Sequence, residues 1–255
     1  MPAGAPPEER DLRPRSAMEL ADVAVAACRR SFLVLAAVAL AFALPASALF
    51  WLVLAVGTPL TTVVGVVVLA IGLALAHAGC VHVVGDDWFG GTPAAAPAIR
   101  TTWRRAPAVV GLWLTGGVKV AVLTLAFVVP GVWAALGLVP AVPAMVLERI
   151  SPGNAVRRAA VLSLDRRAAH LGALLAALAL VVALVLILVQ PVVVASVIGS
   201  GRDAPLLVGV AAAQLAVCVL VIPLFAAVSM AAYVDARIRK EALDLLYLLT
   251  PAAAA

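Results

Sequence analysis

The sequence predicts an all-α fold, a polytopic helical bundle embedded in a membrane. Three observations carry that expectation. Hydrophobic residues make up 65% of the chain and charged residues 12%, where a soluble domain has about half and a quarter. Several uninterrupted apolar runs reach the roughly 18–20 residues that cross a bilayer. The charges are gathered between these runs, not within them. No polar stretch in the 255 residues is long enough for a separate soluble domain, so one membrane domain is expected over 16–249.

The elements follow in order. Residues 1–15 are Pro-rich and charged without an apolar period, and are expected to be disordered. No cleavable signal peptide is expected, because no short apolar region with a small-residue cleavage site follows a basic start. In "SAMELADVAVAACRR", Leu20, Val23 and Ala27 oppose Glu19, Asp22 and Arg29-Arg30, the pattern of an amphipathic helix. A first span is expected at about 32–56, a turn at "GTP" (57–59), and a second span at about 59–84. "GDDWFGG" then places Trp88 and Phe89 at headgroup level, with Asp86 and Asp87 able to cap or to pair with arginines. In "PAIRTTWRR", Ile99 and Trp103 are four apart, and so are Arg100 and Arg104, which again suits an amphipathic helix.

The third span is expected at 108–129 and the fourth at 131–147, joined by a turn at Pro130-Gly131. Pro140 and Pro143 predict that the fourth is kinked or broken, which in a membrane requires protein around it to satisfy the freed backbone. In "SPGNAVRRAAVLSLDRR", Ser151 can cap and Pro152 can take the first helical position, with Val156, Ala160 and Leu164 recurring every four residues. Spans five and six are expected at 168–198 and 205–234, separated by "IGSGRDAP" (198–205), with Pro191 and Pro223 as bend points. A cytoplasmic amphipathic helix is expected over 235–249, carrying the i,i+4 pairs Asp235–Arg239, Arg237–Glu241 and Lys240–Asp244, and a disordered tail over 250–255.

A repeat underlies this order. Arg29-Arg30, Arg104-Arg105 and Arg166-Arg167 each open the first span of a hairpin, and each follows a segment read as an interfacial helix. Of the 18 Lys and Arg residues, five precede the first span, three lie between the second and third, five between the fourth and fifth, and three follow the sixth. Only Arg202 falls on the other side, and Lys119 lies within the third span. The positive-inside rule then places both termini in the cytoplasm of a bacterial cell.

The stretch "VVPGVWAALGLVPAVPAMVLERISPGNAVRRAAVLSL" resembles the membrane domain associated with glycerophosphoryl diester phosphodiesterases, in its actinobacterial form. Pro130-Gly131, Pro143 with Val146 and Glu148, Pro152, and Arg157-Arg158 match that family's pattern, as does the tail with Tyr233, Asp235, Arg237, Arg239, Glu241 and Asp244. The likeness covers most of 15–249. The chain departs from it at Ala159-Ala160, where the family has Ser-Trp, at Gly137, where a basic residue is frequent, and at Ala242, where the family has glycine. The resemblance implies no molecular activity; the family's name comes from fusions to a catalytic domain not expected in this chain.

Candidate chemistry is sparse. His77, Cys80 and His82 do not share one helix face, since His82 lies about 140° from His77 at 100° per residue. The histidines there are read as interfacial, no metal or cofactor is expected, and Cys28, Cys80 and Cys218 are read as small hydrophobes. Lys119 lies near mid-membrane, where a charge costs about 2.5–3.5 kcal/mol and normally faces the bundle interior. Gln214 at similar depth is its candidate partner, and Gln190 lies nearer the outer end. Candidate contacts for anionic headgroups or for a protein partner are Arg29, Arg30, Arg104, Arg105, Arg157, Arg158, Arg166, Arg167, Arg237, Arg239 and Lys240. The chain is thus expected to be a non-enzymatic scaffold or accessory subunit that presents a basic cytoplasmic face to anionic lipids or partner proteins, with no nucleic-acid role. The alternative is a small-molecule or lipid transporter, or a lipid-handling protein, with its polar point at Lys119 and the broken fourth span. Reporter fusions test the orientation: a cytoplasmic reporter joined at residue 165 or 255 is expected to be active, and one joined at residue 200 inactive. The reverse pattern would sink the charge assignment.

Overall fold

A computed structural model describes residues 14–188 and 203–241. Ten α-helices cover them: α1 (Ala17–Arg30), α2 (Phe32–Leu54), α3 (Pro59–Trp88), α4 (Ala95–Arg104), α5 (Ala106–Ala126), α6 (Val128–Gly137), α7 (Ala141–Leu147), α8 (Pro152–Leu162), α9 (Arg167–Leu188) and α10 (Asp203–Glu241). Among the described residues six segments are long and apolar enough to cross a membrane: Phe32–Leu54, Pro59–Trp88, Ala106–Ala126, Val128–Leu147, Arg167–Leu184 and Gly209–Glu241. Large apolar side chains such as Leu33, Leu52, Leu60, Leu114, Val122 and Leu125 stand exposed around the bundle. In water that girdle would be an aggregation surface; against lipid it is the expected exterior of a multi-pass membrane protein. A short helix precedes each of α2, α5 and α9. Their charged ends define what is called below the basic end of the bundle.

α2 and α3 form the tightest pair, and a stripe of glycines sets it. Gly65, Gly72 and Gly79 recur every seven residues, close to two helical turns, and so lie on one face of α3. A Cβ added at Gly79 would lie 2.6 Å from Val38 Cγ1, at Gly72 2.2 Å from Ala46 Cβ, and at Gly65 3.2 Å from Phe50 Cδ2. As the number rises on α3 it falls on α2, so the helices run antiparallel with their backbones in near contact. Their turn uses Gly57 at φ +75°, after which Thr58 and Thr61 cap reciprocally ahead of Pro59.

The second turn differs from expectation. The chain reverses at Phe127, in extended conformation, and Pro130-Gly131 sits inside the first turn of α6. The reason is again a close approach: a Cβ at Gly131 would lie 2.0 Å from Thr124 Oγ1 on α5. The break in the fourth span is present, over 138–140, between α6 and α7. Two buried side chains satisfy the carbonyls it frees. Ser163 Oγ donates to Gly137 O at 3.1 Å, and His170 Nδ1 lies 3.4 Å from Leu136 O. Both belong to the segment that opens α9.

The lead-in helices rest on protein through their small residues. α1 buries Leu20, Ala21, Ala24 and Ala27 and packs on α9 and α10, with Ala17 Cβ against Gly172. α4 buries Ala98 and Thr102, not Ile99 and Trp103; Trp103 is 66% exposed. α8 buries Ala155, Ala159 and Leu162, one position before the Val156–Ala160 stripe, and Leu164 is exposed. Small residues dominate the buried faces, with Leu20 and Leu162 as the large ones, and Trp103 stacks on Phe42 of α2 at 6.3 Å. α10 runs 39 residues, about 58 Å, and is helical through Pro223. That length is nearly twice a hydrocarbon core about 30 Å thick. The expected bend at Pro191, the outer end of span five, and residues beyond Glu241, including Asp244, Leu245 and Leu249, lie outside the described residues.

The expected disorder over 1–15 is corrected at its last residue. Arg15 is buried, its backbone N–H donates to Asp235 Oδ1 at 2.7 Å, and its guanidinium lies over the Trp88 ring at 5.4 Å. Burial alone pushes the Cys28 thiol up to about 12, which leaves it protonated and inert at neutral pH. Replacing Gly72 by leucine is expected to cost at least about 1–3 kcal/mol, seen as a lower unfolding midpoint in detergent, because the new side chain meets α2 directly. Gly117→Ala on α5, where a Cβ has no neighbour within 4 Å, is expected to leave the midpoint unchanged. Equal midpoints for Gly72→Leu and wild type would refute this packing.

Candidate functional site

Two charge networks lie at the basic end, and both are anchored on the last turns of α10. The first surrounds Asp235, whose side chain is fully buried. Its carboxylate accepts the Arg15 N–H at 2.7 Å, Arg166 Nη2 at 2.9 Å and Arg239 Nε at 3.2 Å. Arg166 and Arg239 also donate to the Arg15 carbonyl, at 2.9 and 3.0 Å. One buried anion therefore joins the start of α1, the start of α9 and the end of α10.

The second network closes on itself. Tyr233 O–H donates to Glu148 Oε1 at 2.9 Å, and Arg237 Nη1 donates to the Tyr233 hydroxyl at 3.2 Å. Arg237 pairs with Glu241 at 2.7 Å, Glu241 pairs with Arg158, and Arg158 Nε returns to Glu148 at 3.0 Å. The cycle links the end of α7, the middle of α8 and the end of α10. Charge-assisted bonds of this kind carry roughly twice the strength of neutral ones. Lys240 Nζ donates to Val161 O near the end of α8, where a cation also suits the helix dipole.

These networks change what the candidate headgroup residues are free to do. Arg158, Arg166, Arg237, Arg239 and Lys240 are engaged within the protein, and Arg30 pairs with Asp87 at 2.8 Å. Arg105 Nη1 donates to Met145 O at 3.3 Å, and Arg167 lies over Trp133 at 5.3 Å and against Gly137. Arg29, Arg104 and Arg157 are exposed and make no ion pair among the described residues. Arg100 and Arg149, not singled out from the sequence as contacts, share that condition. Arg149 sits at φ +53°, just past α7, where the left-handed backbone turns the chain toward α8. "GDDWFGG" contributes the Asp87 partner of Arg30, and Trp88 is buried under Arg15.

Within the membrane the expected pairing of Lys119 with Gln214 does not form. Lys119 is exposed on the outer face of α5. Gln214 faces α2 instead, accepting from Trp51 Nε1 at 2.9 Å and donating to Ser47 Oγ at 3.3 Å. Its carbonyl and its NH2 group each have one partner there, both on α2. Gln190 lies outside the described residues. His77, expected at the interface, is buried. Its ring lies 4.7 Å from Phe225 and 6.1 Å from Trp113. The Ser229 hydroxyl donates to Ala226 O at 2.9 Å, so it accepts from His77 Nε2 at 3.3 Å. Cys80 turns elsewhere, toward Leu35 O. Among the described residues no group of three His, Cys, Asp or Glu side chains converges on a point.

His77 lines a cavity of about 630 Å³ beside α5. Leu112, Gly117 and Leu125 mark its course along that helix, Val142 of α7 and Val156 of α8 its basic-end wall, and Phe225 its back. Its lining is almost wholly apolar. The sequence pointed at Lys119 because a charge in an apolar run is conspicuous; a cavity made of glycine, valine and leucine leaves no such mark.

Comparison with protein-family models, with curated proteins and with solved structures finds no match to this chain.

Asp235→Asn is expected to cost about 3 kcal/mol, at the low end for a broken buried pair because Arg166 and Arg239 keep some access to water. The unfolding midpoint in detergent reads it. An unchanged midpoint would show that the carboxylate does not organise this end.

Proposed function

We propose that the protein is a non-enzymatic multi-pass component of a bacterial cytoplasmic membrane that holds a basic helical surface against anionic lipids on the cytoplasmic side. The distribution of Lys and Arg supports the orientation, with all but Arg202 and Lys119 on one side. The observation that carries the reading is the division of labour among the cations. Those nearest the bundle axis are neutralised by Asp235, Glu148 and Glu241, whereas Arg29, Arg100, Arg104, Arg149 and Arg157 project outward unpaired. Arginines left exposed beside a membrane surface each attract anionic lipid by about 1 kcal/mol. The lead-in helices α1, α4 and α8 carry four of the five and lie, on this reading, at the lipid interface.

The resemblance to the phosphodiesterase-associated membrane domain fits the same reading. Glu148, Arg158, Tyr233, Asp235, Arg237, Arg239 and Glu241, which carry it, are the residues that the two networks join. Their shared pattern is on this view structural, a clamp between α7, α8, α9 and α10, and the basic surface it exposes is the working part.

Spin-labelled lipids in reconstituted membranes test this. Wild type is expected to select phosphatidylglycerol over phosphatidylcholine, less so at high salt. Each Arg→Gln change among the five is expected to lower that selectivity by up to about fivefold. Selectivity that survives replacement of all five would end the proposal.

A further inference from the structure

The cavity beside α5 is a binding site, and the geometry points to its occupant: one acyl chain of an anionic glycerophospholipid, its phosphate held at the basic end. This inference rests on the reading of that end as a lipid-facing surface and assigns it a specific site.

Shape selects the occupant first. The lining runs along α5 from Leu112 to Leu125, about 20 Å at 1.5 Å per residue. Spread over that length, 630 Å³ gives a narrow slot of roughly 30 Å² in cross-section, the shape of an extended chain. The volume falls in the range of about 300–1,000 Å³ typical of ligand sites, and the length exceeds half of a hydrocarbon core about 30 Å thick. A single extended hydrocarbon chain fits both dimensions.

Chemistry of the walls selects next. Between Leu112 and Leu125 the α5 side presents Gly116, Gly117 and Ala121, and no acid or amide lines the cavity. His77 is the one ionisable side chain in the lining, and its Nε2 is already committed to Ser229. Such walls offer a nearly continuous apolar surface to a chain, interrupted by His77 Nδ1, a buried atom with no hydrogen-bond partner among the described residues.

Charge then sets the headgroup. The elements that line the basic end of the cavity each carry an arginine there. Arg105 lies two turns before Leu112 on the same face of α5, Arg149 follows α7, and Arg157 adjoins Val156 on α8. Arg149 and Arg157 are exposed and make no ion pair among the described residues, and Glu148, which precedes Arg149, is occupied by Arg158 and Tyr233. Exposed arginines on the elements that line one end of an apolar slot complement a phosphate on an acyl-bearing glycerol, and favour a lipid of net negative charge over a zwitterionic one.

Gly117 offers a clean test, because a Cβ there has no neighbour within 4 Å and a larger side chain enters the cavity without displacing protein. Native mass spectrometry of full-length protein, delipidated and then exposed to phosphatidylglycerol, reads the tightly held lipid. Wild type is expected to retain one molecule. Gly117→Phe is expected to weaken retention by about tenfold or more. The double variant Arg149→Gln, Arg157→Gln is expected to retain a lipid but to lose preference for phosphatidylglycerol over phosphatidylcholine. An unchanged unfolding midpoint establishes that each variant is folded, and Ala121→Phe replaces Gly117→Phe if that one is not. Undiminished retention by a folded Gly117→Phe or Ala121→Phe overturns the cavity assignment. If the arginine variant still loses selectivity, the basic surface stands without the cavity; if wild type shows no preference for the anionic lipid at all, both readings fall.

Discussion

The fully buried carboxylate of Asp235 is the constraint on which this end of the molecule depends. An ion in that position must be compensated at once, and two arginines and a backbone N–H compensate it. Meeting that demand fixes where three distant parts of the chain go. Arg166 brings the start of α9, Arg239 holds the end of α10, and Arg15 draws in the residue before the α1 N-cap. Once Arg15 is placed, its guanidinium covers Trp88, which ties the end of α3 to the same centre. The second network, from Glu148 through Arg158 and Glu241 to Arg237 and Tyr233, repeats the device for α7 and α8.

The broken fourth span shows the same economy. Helix breaks inside a bilayer survive only where protein replaces the lost backbone partners. Here the replacement comes from Ser163 and His170, on either side of Arg166-Arg167. The stretch "SLDRRAAH" therefore does three things within eight residues. It closes the break, pairs with Asp235, and lays Arg167 over Trp133 and Gly137. Its turn uses Asp165 at φ +66°, a left-handed position that aspartate tolerates better than most residues.

Small residues decide where helices meet, and large ones decide where lipid begins. Gly65, Gly72 and Gly79 let α3 lie against α2, and alanines seat α1, α4 and α8. With lipid as apolar as leucine, bulk hydrophobicity gives no drive toward the interior, and close backbone contact does. Along α5 the same small residues, Gly116, Gly117 and Ala121, face a cavity instead of a helix, which is why that span remains the least enclosed of the six.

The sequence by itself determined the class, the six apolar segments, the Gly-Thr-Pro turn, the break near Pro140 and the i,i+4 pairs Asp235–Arg239 and Arg237–Glu241. These rest on local quantities: length of apolar run, turn chemistry and spacing along one helix. Only the tertiary structure decided which face of each lead-in helix is covered. Periodicity showed the apolar stripes Ile99–Trp103 and Val156–Ala160, and packing buries their neighbours Ala98, Thr102, Ala155 and Ala159, because in a membrane an apolar stripe marks lipid as readily as protein. It also decided which arginines are spent on internal carboxylates and which stay outside. That depends on where Asp235, Glu148 and Glu241 end up in space, and no spacing along the chain encodes it.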